Sequence, residues 1–360
     1  MNRSFVAVAA TDGLFLLVQL GSVALIQPFM DAGFQTVEDP TDPTNSLLYI
    51  GAILVATVIM LAAMKFGVDR FLQAIVVFAA VFISFYVFTV IVPPVLTVAG
   101  VNVLAITAAI GLGIGLLVYP EWYVIDAAGV VMGAGAAALF GISFGLFPAL
   151  VLLVVLAVYD AISVYGTEHM LTLASGVMDL RLPVVLVIPL TLSYSFLAET
   201  GPETLGEGGT ETPESDETGG TAESPNEDER VDDDVESETE APEEPFARDA
   251  FFIGLGDAVI PAILVASAAF FRPGDPALLD VPAVALTVPA LGAMVGTIAG
   301  LLVLMWMVMK GRAHAGLPLL NSGAIAGYLL GASLAGIGLV EAVGLAPDLS
   351  SGVRSLTAPP

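Results

Sequence analysis

The chain has 360 residues, 57% of them hydrophobic and 13% charged, with no cysteine, two histidines and a formal charge of −26. A mean hydropathy of +0.91 excludes a soluble globular domain and marks a polytopic membrane protein. The absence of cysteine excludes disulfides, thiolate metal centres and cysteine nucleophiles.

Stretches of about 20 apolar residues mark membrane helices. Taken in chain order there are nine, at about 5–27, 47–66, 71–92, 95–118, 124–142, 146–167, 250–271, 284–309 and 317–341. The first resembles a signal peptide, but its apolar run is long and carries Asp12, so it reads as an uncleaved span. A shorter piece at 182–197, broken by Pro183 and Pro189, reads as a partial or interfacial helix. The pattern predicts an all-α polytopic membrane protein with nine transmembrane helices in a 6 + 3 arrangement. Residues 1–197 hold six helices and 250–360 hold three.

Between them, 198–249 has almost no apolar content and is rich in Gly, Pro, Ser and Thr. It holds 20 of the 36 acidic residues of the chain. Such a segment buries too little surface to order itself, so it reads as a solvated, disordered tether. Lysine occurs only at Lys65 and Lys310, and acid-rich, lysine-poor surfaces resemble those of proteins from very salty cytoplasms. With the amino terminus inside, eight basic residues lie on the cytoplasmic side and only Arg272 and Arg354 lie outside. That bias predicts a cytoplasmic N-terminus and 198–249 loop, with the C-terminus outside.

Two carboxylates stand out. Asp160 lies about six residues from the inner end of the sixth span, and Asp257 about seven from the inner end of the seventh. At 1.5 Å rise per residue both fall roughly 10 Å below the inner membrane surface. An acid at such a depth costs about 2.5–3.5 kcal/mol even on lenient insertion scales, so it usually has a function. Two carboxyls in one low-dielectric site titrate as a unit, one keeping its proton while the other is charged. That state suits peptide hydrolysis: the ionised acid takes a proton from water, and the protonated one donates to the carbonyl oxygen. Gly254 and Gly256 thin the wall beside Asp257 and leave room for an unwound substrate strand. Gly316-Leu317-Pro318 reads in two ways, as an ordinary helix start with Pro318 in the first turn, or as non-helical backbone held against the carboxylates.

These residues resemble the motifs of the presenilin and signal peptide peptidase family of intramembrane aspartyl proteases, particularly its archaeal members. The matching stretches are Tyr159-Asp160, Gly254-Leu255-Gly256-Asp257 and Ala315-Gly316-Leu317-Pro318. The nine spans and the hydrophilic loop after the sixth are similar too. The resemblance implies that Asp160 and Asp257 are catalytic. It implies that Tyr159, Gly254, Leu255, Gly256, Gly316, Leu317 and Pro318 shape the site or bind substrate, with no metal or other cofactor. The family's proline-alanine-leucine motif keeps only its leucine here, followed by Pro318. Transmembrane peptides in the lipid bilayer are the implied partners, with no nucleic acid; self-association stays open.

Other chemistries fit less well. Gly141-Ile142-Ser143-Phe144-Gly145 has the form of a serine elbow, but Ser143 falls near the outer face while His169 and His314 fall near the inner one, and a serine without a base is not a nucleophile. Glu168-His169 is no zinc motif. Asp12 reads as a hydrogen-bonded polar contact within the bundle, and Asp126 as a solvated residue near its span's inner end. A proton- or cation-coupled transporter is the alternative use of paired membrane carboxylates. It would show repeat symmetry and more polar lining residues.

Overall fold

In a computed structural model of the chain, residues 3–345 are described except for 36, 38, 43, 167–184, 191–193, 196–249, 272–278, 282–283 and 311–314. The described residues are predominantly helical. The helices are α1 (Arg3–Asp31), α2 (Thr44–Lys65), α3 (Asp69–Ile91), α4 (Val103–Val118), α5 (Trp122–Ser143), α6 (Leu146–Gly166), α7 (Leu255–Phe271), α8 (Val288–Val308), α9 (Gly316–Leu334) and the short α10 (Leu339–Ala342). Seven of them are long and apolar enough to cross a membrane, while α4 and α7 are apolar but shorter. Three antiparallel two-stranded sheets accompany them: β1 (Thr97–Val98) with β2 (Val101–Asn102), β3 (Val185–Pro189) with β4 (Ala250–Gly254), and β5 (Leu279–Val281) with β6 (Val284–Leu286).

Local chemistry explains where the helices begin. The Asp42 carboxylate accepts the Thr44 backbone N–H at 2.8 Å at the start of α2, and hydrogen bonding from the Thr44 side chain and then its backbone holds the Asp42 carboxyl below its ordinary pKa. Asn102 caps α4, accepting from the backbone of Leu104 and Ala105 while donating to the Val92 carbonyl at 2.8 Å. Thr287 does the same for α8, with Pro289 in its first turn.

Several expected boundaries differ. The span read from 284 opens with strand β6 and is helical only from Val288, and the span read to 341 ends at Leu334 before the short α10. The span read at 95–118 begins only at Val103, because Ala99 and Gly100 both take positive φ (51° and 80°) and close the β1–β2 hairpin before the helix starts. Within the piece read as a partial helix at 182–197, Val185–Pro189 is a strand. The seventh span is a helix only from Leu255; Ala250–Gly254 is the strand that pairs with β3. Aromatic and β-branched residues suit that pairing, and glycine at 254 and 256 weakens any helix across the junction. The acidic 198–249 segment lies outside the described residues.

Helix α5 is the axis of the bundle, buried over 67% of its most apolar window, whereas α2 is buried over only 6%. Its alanines and glycines keep it thin, so α1, α3 and α7 all pack against it. A Cβ at Gly133 would lie 3.2 to 3.4 Å from Val259, Leu255 and Val18, which shows how closely α1, α5 and α7 meet. Helices α8 and α9 form a second tight unit. Gly292, Gly296 and Gly300 on α8 face Gly331, Gly327 and Gly323 on α9, running antiparallel. A Cβ at Gly296 or at Gly327 would stand 2.0 Å from a backbone oxygen of the other helix, so this seam admits glycine only.

Candidate active site

Helix α6 brings Asp160 to the site, buried with 6% of its surface exposed. Asp257 arrives differently from the sequence expectation. It lies in the first turn of α7, with strand β4 ending at Gly254 just before it. There the N-terminal backbone N–H groups and the helix dipole favour negative charge. Both carboxyls lie against the start of α9.

The third component is the start of α9. The Leu317 backbone N–H donates to Asp160 Oδ2 at 3.2 Å. At the preceding residue, a Cβ on Gly316 would lie 3.0, 3.2 and 3.3 Å from Oδ2, Cγ and Oδ1 of Asp257. One peptide step of α9 is therefore bracketed by both acids. Of the two readings of Gly316-Leu317-Pro318, the helix start is the conformation found, and the position against the carboxylates is also found. The backbone is helical from Gly316 onward.

Two further hydrogen bonds hold this geometry. The Ala315 N–H donates to the Tyr165 hydroxyl at 3.3 Å, and the buried Asn321 amide donates to the Leu153 carbonyl at 2.9 Å. On α6 the partners run backwards as 165, 160, 153 while on α9 they run forwards as 315, 317, 321. The three bonds thus lace an antiparallel helix pair and fix the height of Gly316 against Asp257. Sequence reasoning did not find Tyr165 or Asn321. Each lies on its helix near a residue it did find, one to one and a half turns away.

The remaining predicted residues take distinct places. Gly254 and Gly256 are exposed beside Asp257, and a Cβ at Gly254 would lie 3.5 Å from Asp257 Oδ2. Leu255 is buried and reaches Gly129 and Gly133 of α5, so it anchors the junction. Tyr159 is 37% exposed, one residue from Asp160 on an outer face of α6. Pro318 is part-buried in the first turn of α9.

Asp126 is not solvated, as its position near a span end implied. It is 7% exposed, and its Oδ1 accepts the Val187 backbone N–H of β3 at 2.7 Å. Asp12, expected to be hydrogen-bonded within the bundle, has a buried Oδ1 with no partner among the described residues. Ser143 is 1% exposed at the end of α5, and His169 and His314, with Glu168, lie outside the described residues.

Residues 12–337 match the family model described as signal-peptide peptidase, presenilin aspartyl protease. Among solved structures, a presenilin family intramembrane aspartate protease in a C222 crystal form is 32% identical. That match covers 91% of this chain and 99% of the other at a TM-score of 0.58. A presenilin family intramembrane aspartate protease in a P2 crystal form is also 32% identical, with coverage of 90% and 97% and a TM-score of 0.57. No curated protein matches the chain.

Proposed function

The chain belongs to the signal-peptide peptidase and presenilin family of intramembrane aspartyl proteases, and from that premise we propose that Asp160 and Asp257 are its catalytic pair. The family membership makes it a multi-pass membrane protease whose substrates are membrane-embedded. The bracketing of the Gly316–Leu317 step by the two carboxylates is the observation that carries the residue assignment.

In this reading one acid is ionised and the other protonated. The ionised carboxylate takes a proton from a water molecule as its oxygen bonds to the scissile carbonyl carbon. The protonated one donates to the carbonyl oxygen, giving a tetrahedral gem-diol. Collapse breaks the C–N bond, the nitrogen takes a proton from the pair, and a carboxylic acid and an amine leave. Either aspartate can start as the base. The Leu317 N–H holds Asp160 in place, and the start of α7 supports charge on Asp257.

A peptide bond inside a helix is shielded, so the substrate has to be extended at the point of cleavage. Strand β4 ends three residues before Asp257, and among the described residues its sheet has only two strands. An extended substrate pairing along the edge of β4 not taken by β3 reaches the acids at Gly254. Tyr159, Gly254, Leu255, Gly256, Gly316, Leu317 and Pro318 then line or support the cleft. The proposal includes nine spans, six before the acidic segment and three after it, with the N-terminus and residues 198–249 cytoplasmic and the C-terminus outside.

The test compares Asp160→Ala and Asp257→Ala with wild type on a membrane-embedded peptide. Each should lose at least about a hundredfold in cleavage rate, the scale of lost acid–base catalysis, while the protein stays inserted, because removing an intramembrane acid lowers its insertion cost. Unchanged cleavage by either variant overturns the assignment.

A further inference from the structure

A proline inside a helix withholds one ladder bond, the one its own nitrogen would donate to the carbonyl four residues earlier, and its ring crowds that carbonyl. Helix α7 has such a residue, Pro261. Four residues before it stands Asp257, so the backbone carbonyl deprived of its ladder partner belongs to the acid assigned above. The first turn of α7 is therefore tied to the rest of the helix by one bond fewer, at the residue whose carboxyl has to be placed.

The chain on the two sides of Pro261 is held differently. From Pro261 to Ala269 every residue is buried. That body of α7 is fixed to its neighbours: the Ser267 hydroxyl donates to the Phe144 carbonyl at 2.9 Å, and the Thr287 hydroxyl donates to the Ala268 carbonyl at 3.2 Å. A Cβ at Gly141 of α5 would lie 2.4 Å from the Ala266 Cβ. In the turn before Pro261 only Leu255 and Ala258 are buried, while Asp257, Val259 and Ile260 are half-buried and Gly256 is exposed. The carboxyl on this turn nevertheless has an exacting place, since a Cβ on Gly316 would lie 3.0 Å from its Oδ2. An N–H at position 261 would draw the Asp257 carbonyl into the ladder of the fixed body and carry the carboxyl with it. A displacement of about 1 Å is enough to cost on the order of a hundredfold in rate.

Resting on the assignment of Asp257 to the catalytic pair, we propose that Pro261 is a positioning residue for that acid. By withholding its ladder bond it lets the turn that bears Asp257 settle against the start of α9 instead of following the axis of α7. The proline acts through the Asp257 backbone and touches neither substrate nor the reacting atoms.

The experiment uses the full-length protein in liposomes with one membrane-embedded peptide, reading kcat, KM and the melting temperature. Pro261→Val supplies the N–H at similar volume. A second protein carries α-hydroxyisovaleric acid at the same position, which has the valine side chain but an ester oxygen in place of the N–H. Pro261→Val should lower kcat about tenfold or more with KM within about twofold of wild type. It should still melt higher than the hydroxy-acid protein, because it has one more helix bond. The hydroxy-acid protein should keep kcat within about threefold of wild type. Pro28→Ala removes the proline inside α1 and should leave kcat within about twofold. Wild-type kcat in Pro261→Val overturns the proposal. So does a hydroxy-acid protein as slow as Pro261→Val, or equal slowing by Pro28→Ala. If the valine pair does not fold, Pro261→Ala and lactic acid at 261 form the pair. Failure of both pairs to fold overturns the proposal as well, since an added helix bond should stabilise. Asp257→Asn runs alongside: cleavage by that variant sinks the underlying catalytic assignment, whereas its inactivity beside a fast Pro261→Val sinks only the role of the proline.

Discussion

The three glycines around Asp257 are not equivalent, and their surroundings rank them. A Cβ at Gly316 meets the Asp257 carboxyl at 3.0 to 3.3 Å, a Cβ at Gly254 meets it at 3.5 Å, and a Cβ at Gly256 meets nothing nearer than Ile260 Cδ1 at 3.9 Å. Gly316→Ala therefore has to push the carboxylate aside. A misplacement of even about 1 Å can cost on the order of a hundredfold in rate. Gly254→Ala is an ordinary contact and should cost far less. Gly256→Ala gains helix propensity, worth up to about 1 kcal/mol of stability. Rates and melting temperatures of the three variants check the order; a Gly256→Ala variant slower than Gly316→Ala would contradict it. The two aspartates were legible in the sequence because a carboxylate inside an apolar run is conspicuous by its cost. Asp126, Tyr165 and Asn321 were not. Their hydrogen bonds span 61, 150 and 168 residues along the chain, and such partners exist only once the helices are packed.

At the scale of elements, the seam between α8 and α9 positions the start of α9, and with it Gly316 and Leu317. The helices can approach so closely because glycine recurs every fourth residue on both. Gly296→Ala and Gly327→Ala each drive a methyl group into backbone, where no rotamer change gives relief. Each should destabilise the protein by about 1–3 kcal/mol or more, seen as a lowered melting temperature in detergent. Gly51 and Gly111 have nothing within 4 Å, so alanine there serves as the control. Equal melting of Gly296→Ala and Gly51→Ala would mean that the helices separate freely. Helix existence was legible from apolar length alone. The strand at Ala250–Gly254 was not, because "AFFIG" is apolar throughout and carries no alternation to distinguish it from the first turn of a buried helix. Its partner β3 also sits on the far side of a long acidic segment. The spacing of the seam glycines was visible, but not which helix they face.

Across the whole molecule, the chain before the acidic segment and the chain after it are interlocked. Strand β3 pairs with β4, α7 packs against α1, α5 and α6, and α9 packs against α6. The two aspartates come from opposite sides of this division. Counting apolar runs yields a 6 + 3 pattern only as an expectation, and the transporter alternative falls with the family assignment. The interlocking is what counting does not reveal. It yields a prediction about covalent continuity. If van der Waals packing and interhelical hydrogen bonds hold the two parts together, the peptide link between them adds only an effective concentration. A site-specific protease sequence inserted within 213–240 and cleaved after purification should leave both fragments in one complex. That complex should keep its cleavage rate within about twofold, since intramolecular linkage contributes no contact of its own. Size-exclusion chromatography with an activity assay reads both. Fragments that part on cutting, or that stay together but lose activity, would show that the acidic segment itself holds the aspartates in register.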